Sequence, residues 1–131
     1  MEIFIDSSAF FVLGDRSSEK GKAVEALIFE RETPLVTTNL VLAETLSLVT
    51  KRIGKVKGIE VGEKILHSGI TRLVYLDAEL QDEAWRLYKK YKDKDFDFID
   101  ATSLVFCQKH GIREVITLDH HFVQMGFKII P

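Results

Sequence analysis

The chain has 131 residues, of which 46% are hydrophobic and 29% are charged, and its formal net charge is −2. This length predicts a single domain over residues 1–131 with its own hydrophobic core, and the composition excludes a disordered chain. The small negative charge excludes a protein whose overall field attracts nucleic acid, although it is compatible with a local basic patch.

Features that direct a chain to a membrane or to an oxidising compartment are missing from the sequence. The first residues contain no basic region followed by an apolar signal core, and no apolar run approaches the roughly 18 residues of a membrane span. The single cysteine, Cys107, cannot form an intrachain disulfide, and its apolar surroundings favour a small core residue over a nucleophile. We therefore expect a cytoplasmic protein with no membrane partner.

Near its start the chain has residues 2–5, in which Glu2 is followed by a short apolar run that is too short for a helix and rich in β-branched and aromatic residues. This composition predicts a buried strand that ends at Asp6. A short apolar segment over 8–13 follows. Ser17 or Ser18 can then cap a helix that reaches about residue 31.

A second strand is predicted over 35–37, and Thr38 or Asn39 can cap the next helix, which reaches about residue 53. The core-facing stripe of this helix is expected at Leu42, Leu46, Val49 and Ile53. Glu44 lies off the charged side of the helix, because the residues one turn away are the aliphatic Leu40, Val41 and Leu48. Burial of its carboxylate without a partner would be unfavourable, so we expect a compensating group.

A helix over 55–68 and a third strand over 73–76 come next. Asp77 can cap a helix that reaches about residue 91, in which Trp85 and Tyr88 are expected to serve packing.

A charged loop over 92–99 leads to a helix that begins near Asp100 and is apolar on nearly all sides, as is typical of a buried helix. Strands are predicted over 115–118 and 127–130, and Asp119 directly follows the first of them. Strands that alternate with helices predict an α/β fold, a three-layer sandwich with a parallel and roughly five-stranded sheet.

Four acids occupy positions from which they can meet at one edge of this sheet. Asp6 and Asp119 follow strands, whereas Glu44 and Asp100 lie in otherwise apolar helical surroundings. In doubly wound sheets, ligand sites form outside the carboxyl ends of the strands. Carboxylates that crowd together repel one another unless a cation neutralises them, and Mg²⁺ or Mn²⁺ prefers such oxygen ligands. The sequence therefore predicts a divalent metal site.

Such a site suits phosphodiester hydrolysis, in which a metal ion lowers the pKa of a bound water. Zinc is disfavoured because no Cys/His cluster has zinc spacing. Nucleotide-cofactor and serine-hydrolase chemistry have no support either, because the sequence contains no glycine-rich phosphate loop and no GxSxG motif.

The ordered set of motifs resembles the pattern of PIN-domain ribonucleases, and among them the VapC-type toxins of toxin–antitoxin pairs. The motifs are the strand with Asp6-Ser7-Ser8, NLVLAET around Glu44, FIDA at Asp100 and TLDHHF at Asp119. The resemblance covers nearly the whole chain. It implies Mg²⁺- or Mn²⁺-dependent cleavage of single-stranded RNA, a homodimer, and an antitoxin whose C-terminal segment covers the acidic site.

By this resemblance, Asp6, Glu44 and Asp100 match the three core acids of the family, and Asp119 matches the more variable fourth. Ser7, Thr117 and Asn39 would then be polar groups that orient the carboxylates.

Two positions depart from the family pattern. His120 stands where relatives often have Arg, which places a phosphate contact there in doubt, and Asp97 stands where Ser is common.

Structural interpretations of the same residues stay open at this point. Asp6 could form a turn, Glu44 could be a solvated helix acid, and Asp119 could cap the short turn before Phe122. Asp97 and Asp100 also have the spacing of a capping box, a role that is compatible with metal binding.

Other polar groups favour the structural interpretation. His120 and His121 are typical of loop histidines, and Asp97 belongs to a solvated charge run. The densest basic cluster is a helix end or a binding surface for RNA phosphates. It comprises Lys51, Arg52, Lys55 and Lys57.

Two other functions remain alternatives to the ribonuclease. The first is a PIN-like module without activity that only binds RNA or a protein. The second is a receiver-like domain with a phosphoaccepting Asp, although such domains carry a pair of adjacent acids after the first strand and a late strand-end Lys, which this chain lacks.

Overall fold

The computed structural model describes residues 1–15 and 17–131, and its elements follow the predicted order. The strands are β1 (Ile3–Ile5), β2 (Leu35–Thr38), β3 (Thr71–Val74), β4 (Glu114–Ile116) and β5 (Lys128–Ile130). The helices are α1 (Ser7–Leu13), α2 (Glu19–Glu30), α3 (Asn39–Arg52), α4 (Lys55–His67), α5 (Ala78–Lys90), α6 (Phe98–Lys109) and α7 (His121–Gln124). Among the described helices, none has the length and apolar character needed to cross a membrane.

The five strands form one parallel sheet in the order β3-β2-β1-β4-β5, which confirms the predicted α/β fold. The chain moves outward from β1 to β3 and then returns to the other side of β1, so the strand order reverses between β1 and β4. Because parallel crossovers are right-handed, this reversal places helices on both faces of the sheet. Ligand sites of doubly wound sheets form at such a reversal.

Local side-chain bonds explain where the long helices begin. The side chains of Ser18, Thr38 and Asp77 accept the backbone N–H three residues later, as good N-caps do. Asp97 and Asp100 form the predicted capping box at the start of α6, which therefore begins at Phe98, two residues earlier than expected.

The core is built around β1, whose Ile3, Phe4 and Ile5 are fully buried. The ring of Phe4 lies 5.9 Å from that of Phe106 in α6 and 6.5 Å from that of Phe122 in α7. Cys107 is also fully buried, which confirms it as a core residue, and burial raises the pKa of its thiol.

Three sequence predictions need correction. Pairing of Leu35 with Thr71 sets β3 two residues earlier than the predicted 73–76. The strand β4 ends at Ile116 instead of residue 118, so Asp119 lies on a loop. Ile53 is 52% exposed, because the buried face of α3 is formed by Val41, Thr45 and Val49.

Candidate metal centre

Asp6 lies directly after the central strand β1 and is only 2% exposed. One carboxylate oxygen, Oδ2, accepts hydrogen bonds from Thr117 Oγ1 at 2.9 Å and from Ser8 Oγ at 3.3 Å. The other, Oδ1, is buried and has no hydrogen-bond partner among the described residues. Burial raises the pKa of Asp6, the Ser7 backbone N–H and the Thr117 hydroxyl oppose part of this rise, and the negative charge of Asp119 adds to it. A buried oxygen without a donor is rare in proteins and indicates a missing partner.

Ser8, in the first turn of α1, and Thr117 connect the start of α1 with the loop after β4. Their hydroxyl oxygens lie 3.0 Å apart. Ser8 Oγ accepts the backbone N–H of Leu118 at 2.9 Å, and Thr117 Oγ1 accepts that of Asp119 at 2.9 Å. Asp6, which is the N-cap residue of α1, and the loop that carries Asp119 are therefore held together at the point where the strand order reverses.

Glu44 projects from the second turn of α3 and is half-buried. The hydroxyl of Ser7, at the start of α1, donates a hydrogen bond to Glu44 Oε1. Burial raises the pKa of Glu44, and the charges of Asp97, Asp6 and Asp119 raise it further. The compensating group expected from the sequence is thus a hydroxyl, and Glu44 lies close enough to the other acids to be repelled by them.

Asp100 lies in the first turn of α6 and is 8% exposed. Its Oδ2 accepts the backbone N–H of Asp97 at 3.1 Å, and its own N–H donates to Asp97 Oδ1 at 2.9 Å. Burial, followed by repulsion from Asp97, Asp6 and Asp119, raises the pKa of Asp100 to about 8. At neutral pH this carboxyl group therefore holds a proton unless a cation takes its place.

Asp119 bonds to the start of α7. Its Oδ1 accepts the backbone N–H of His121 at 3.0 Å, as in an Asx turn, and lies 2.9 Å from His121 Nδ1. His121 Nδ1 also lies 3.7 Å from Asp100 Oδ2. Asp100, Asp119 and His121 each offer one possible ligand atom, and these atoms lie within 4.8 Å of one another.

The structure brings the four predicted acids close to one another. The predicted hydroxyls of Ser7 and Thr117 lie in the same cluster. Asn39 lies elsewhere: its Oδ1 accepts the backbone N–H of Leu76 at 2.9 Å and so fixes the loop after β3. His120 is exposed.

Sequence reasoning missed Ser8 and His121 as members of the cluster. The available signals were a second hydroxyl directly after Ser7 and a histidine two residues after Asp119. That spacing allows a backbone bond to the carboxylate.

These residues fit a hard divalent cation. The cluster is rich in carboxylate oxygens, the pKa values of Asp6, Glu44 and Asp100 are raised by burial and by repulsion between the acids, and one buried oxygen lacks a donor among the described residues. A cation would lower the pKa values of these groups and would supply the missing partner of Asp6 Oδ1. Carboxylates with at most one imidazole favour Mg²⁺ or Mn²⁺ over softer metals.

The chain has clear relatives among known proteins. Residues 3–128 match the family described as PIN domain. The 23S rRNA-specific endonuclease VapC20 of Mycobacterium tuberculosis is 28% identical over 125 residues, which cover 95% of each sequence. Ribonuclease VapC26 of the same species is 30% identical over 136 aligned residues, which cover 98% of this chain and 100% of that protein.

Solved structures give the same result. The crystal structure of VapC20 from Mycobacterium tuberculosis, described as a sarcin-ricin loop cleaving toxin, has a TM-score of 0.88 at 26% identity and 95% coverage of both chains. VapBC2 from Rickettsia felis shares the fold, with a TM-score of 0.73 at 12% identity and coverage of 99% of this chain and 98% of that one. The resemblance to PIN-domain ribonucleases and VapC-type toxins is thereby confirmed, and the chain belongs to the PIN domain family.

Proposed function

We propose that this protein is a metal-dependent endoribonuclease that cleaves single-stranded RNA and acts as a toxin. The ion, Mg²⁺ or Mn²⁺, is held by Asp6, Glu44, Asp100 and Asp119. The observation that carries this proposal is the convergence of four carboxylates that are close enough to repel one another, one of which, that of Asp6, is buried with an oxygen that lacks a hydrogen-bond partner in the described part of the chain. The names of the two Mycobacterium tuberculosis relatives, an endonuclease and a ribonuclease, support the reaction class.

A divalent ion in such a site supplies a water of lowered pKa and neutralises charge that develops on the phosphate. The residues of this chain provide the rigid frame for it. Thr117 and Ser8 fix Oδ2 of Asp6, whose carboxylate would help to hold the ion, while Ser7 orients Glu44. Outer hydrogen bonds of this kind are a general requirement of metal sites, because they hold each ligand in its binding orientation.

Asp100 determines when the site can accept a cation. With a pKa of about 8, it holds a proton at neutral pH in the absence of an ion, and that proton must leave before the carboxylate can bind. His121 Nδ1 lies 2.9 Å from Asp119 Oδ1 and 3.7 Å from Asp100 Oδ2, within the same cluster. Metal binding should therefore weaken as the pH falls below neutral.

RNA is the proposed substrate, and an antitoxin and a second copy of the chain are the proposed partners. The description of VapC20 as a toxin supports the antitoxin proposal for this similar chain. The homodimer and the cytoplasmic location stay predictions.

The proposal is tested by cleavage of a single-stranded RNA with Mn²⁺ or Mg²⁺, with and without EDTA. The wild type should cleave in the presence of the ion and not in EDTA, and Asp6→Asn should lose the activity while it keeps its circular dichroism spectrum. Asp93→Asn is the matched control, because this exposed aspartate lies in the loop before α6 and should keep full activity.

Equal cleavage by wild type and Asp6→Asn would contradict the assignment of the site. A folded wild type that cleaves no RNA under any metal condition would favour the alternative of a binding module without activity.

A further inference from the structure

A basic groove lies beside the acidic cluster. It has a volume of about 840 Å³ and runs between the C-terminal end of α5 and the loop that leads to α6. Its cationic lining residues are Arg86, Lys89, Lys90, Lys92 and Lys94. Only two carboxylates, Asp95 and Asp97, line it as well, so its charge is opposite to that of the whole chain.

None of the five cations forms an ion pair with a carboxylate in the part of the chain that the structure describes. In the basic cluster predicted from sequence, one of the four cations forms an ion pair with a described residue. There, Lys57 pairs with Glu60 at 3.3 Å, and the Arg52 guanidinium lies over the ring of Phe11 at 5.5 Å.

Three groove cations also lie over aromatic rings, Lys89 over Trp85 at 5.7 Å and Lys90 and Lys94 over Tyr91 at 5.5 and 5.6 Å. These contacts leave their charge without a counter-ion among the described residues.

Aromatic rings adjoin the groove. Trp85 is 50% exposed and Tyr88 is 40% exposed, and their ring centroids lie 5.8 Å apart. Phe98 supports both rings edge-on, at 6.2 Å from Trp85 and 6.0 Å from Tyr88. Trp85 and Tyr88 were expected to serve packing, but each ring keeps a large solvent-accessible surface next to cations that form no ion pair among the described residues.

The groove reaches the acidic cluster through Asp97. This residue lines the groove, is bonded to Asp100 in both directions, and repels Glu44. Phe98, the support of the aromatic pair, is the next residue along the chain and the first residue of α6. A ligand that lies in the groove therefore lies next to the candidate metal centre.

We propose that this groove binds a single-stranded segment of the RNA substrate next to the phosphodiester bond that is cleaved. The cations contact successive phosphates, and Trp85 and Tyr88 stack against bases. Proteins that bind single-stranded nucleic acid combine these two features, and their affinity falls steeply with salt. This inference rests on the proposed endoribonuclease function and assigns the residues that hold its substrate.

Trp85 is the single tryptophan of the chain, so its fluorescence reports directly on stacking in the groove. We suggest titration with a short single-stranded oligo(U) in the absence of divalent ions, so that no cleavage occurs. The test variant replaces Lys89, Lys90 and Lys92, all exposed, by Gln. The matched control replaces three other exposed cations by Gln, Lys51 and Arg52 at the end of α3 and Lys55 at the start of α4, so that both variants lose the same charge.

Oligo(U) should quench the fluorescence of the wild type and of the control variant at similar concentrations. With five phosphate contacts, the affinity of the wild type should fall by roughly 100-fold between about 50 and 200 mM salt. The groove variant keeps two of these contacts, so its affinity should fall by roughly sevenfold over the same range. At about 0.1 M salt the groove variant should bind on the order of 100-fold more weakly than the wild type. Replacement of Trp85 by Leu should weaken binding by about tenfold, followed with labelled oligo(U).

Unchanged affinity and salt dependence in the groove variant would overturn the inference, as would a larger loss in the control variant. Unchanged RNA binding together with weakened binding of poly(Glu) would overturn it in favour of an acidic protein partner.

Cleavage separates this inference from the proposed function. If the wild type cleaves RNA and the groove variant cleaves long RNA with an unchanged KM, the groove inference fails and the endoribonuclease stands. If the wild type binds oligo(U) in the groove but cleaves no RNA, the proposed function fails instead.

Discussion

The raised pKa of Asp100 predicts that the metal-free protein loses stability as the pH rises, and that Asp100→Asn removes part of this loss. In the native state the pKa is about 8, against an ordinary value of 3.8. At a pH between these two pKa values the folded chain binds more protons than the unfolded chain. The contribution of Asp100 to the unfolding free energy is therefore complete at low pH and is lost as the pH rises through the native pKa. Asparagine keeps an acceptor for the N–H of Asp97 and carries no charge.

The size of the effect follows from the shift. One pKa unit corresponds to about 1.4 kcal/mol, so an isolated group with this shift would lose roughly 3–4 kcal/mol of unfolding free energy between about pH 5 and pH 8. Part of the shift of Asp100 comes from repulsion by neighbouring acids and not from Asp100 alone, so we expect about half of this value. About 2 kcal/mol corresponds to a change of roughly 7 °C in Tm for a chain of this length.

The assay is urea unfolding in EDTA, followed by circular dichroism across this pH range, for wild type, Asp100→Asn and the exposed control Asp93→Asn. Asp100→Asn should match the wild type near pH 5 and exceed it by about 2 kcal/mol near pH 8. Stability curves of the wild type and of Asp100→Asn that stay parallel across the range would refute the reasoning, because the carboxyl group would then not hold its proton in the native state.

Three further substitutions test the frame of the site and the fold. Ser7→Ala removes the donor to Glu44 and should slow RNA cleavage by about 10- to 100-fold at unchanged Tm; a normal rate would contradict the orienting role. Gly21→Ala would place a Cβ 2.3 Å from the backbone oxygen of Val12, so it should lower unfolding free energy by about 1–3 kcal/mol although alanine favours helices; a raised Tm would contradict this. Phe4→Ala should cost about 3–5 kcal/mol in urea unfolding, because the ring is fully buried; a loss below about 1 kcal/mol would contradict its central place in the core.

The sequence was sufficient to predict the fold class and the meeting of the acids, because both depend on short-range patterns. Apolar runs that end in Asp6 and near Asp119 indicate strands whose carboxyl ends share an edge, and parallel topology then brings the two acids together. Glu44 was recognisable because its helical neighbours are aliphatic. The metal-binding roles of these residues stay predictions.

Other features depend on tertiary contacts that no local pattern encodes. The bond from Thr117 to Asp6 joins residues 111 positions apart, and the pairing of Leu35 with Thr71 sets the limits of β3. The basic surface next to the site also differs between the sequence prediction and the structure. A count of charges favours the cluster near Lys51, whereas the structure shows that the unpaired cations beside Asp97 are those at the end of α5.

Calorimetric titration of Mn²⁺ into the metal-free protein at neutral pH tests the central claim, that the four carboxylates are assembled around a divalent ion. Titration in two buffers of different ionisation enthalpy also counts released protons. The wild type should bind Mn²⁺ and release about one proton, because Asp100 must ionise, whereas Asp6→Asn should bind far more weakly. No heat at millimolar Mn²⁺, or equal binding by Asp6→Asn, would contradict the claim.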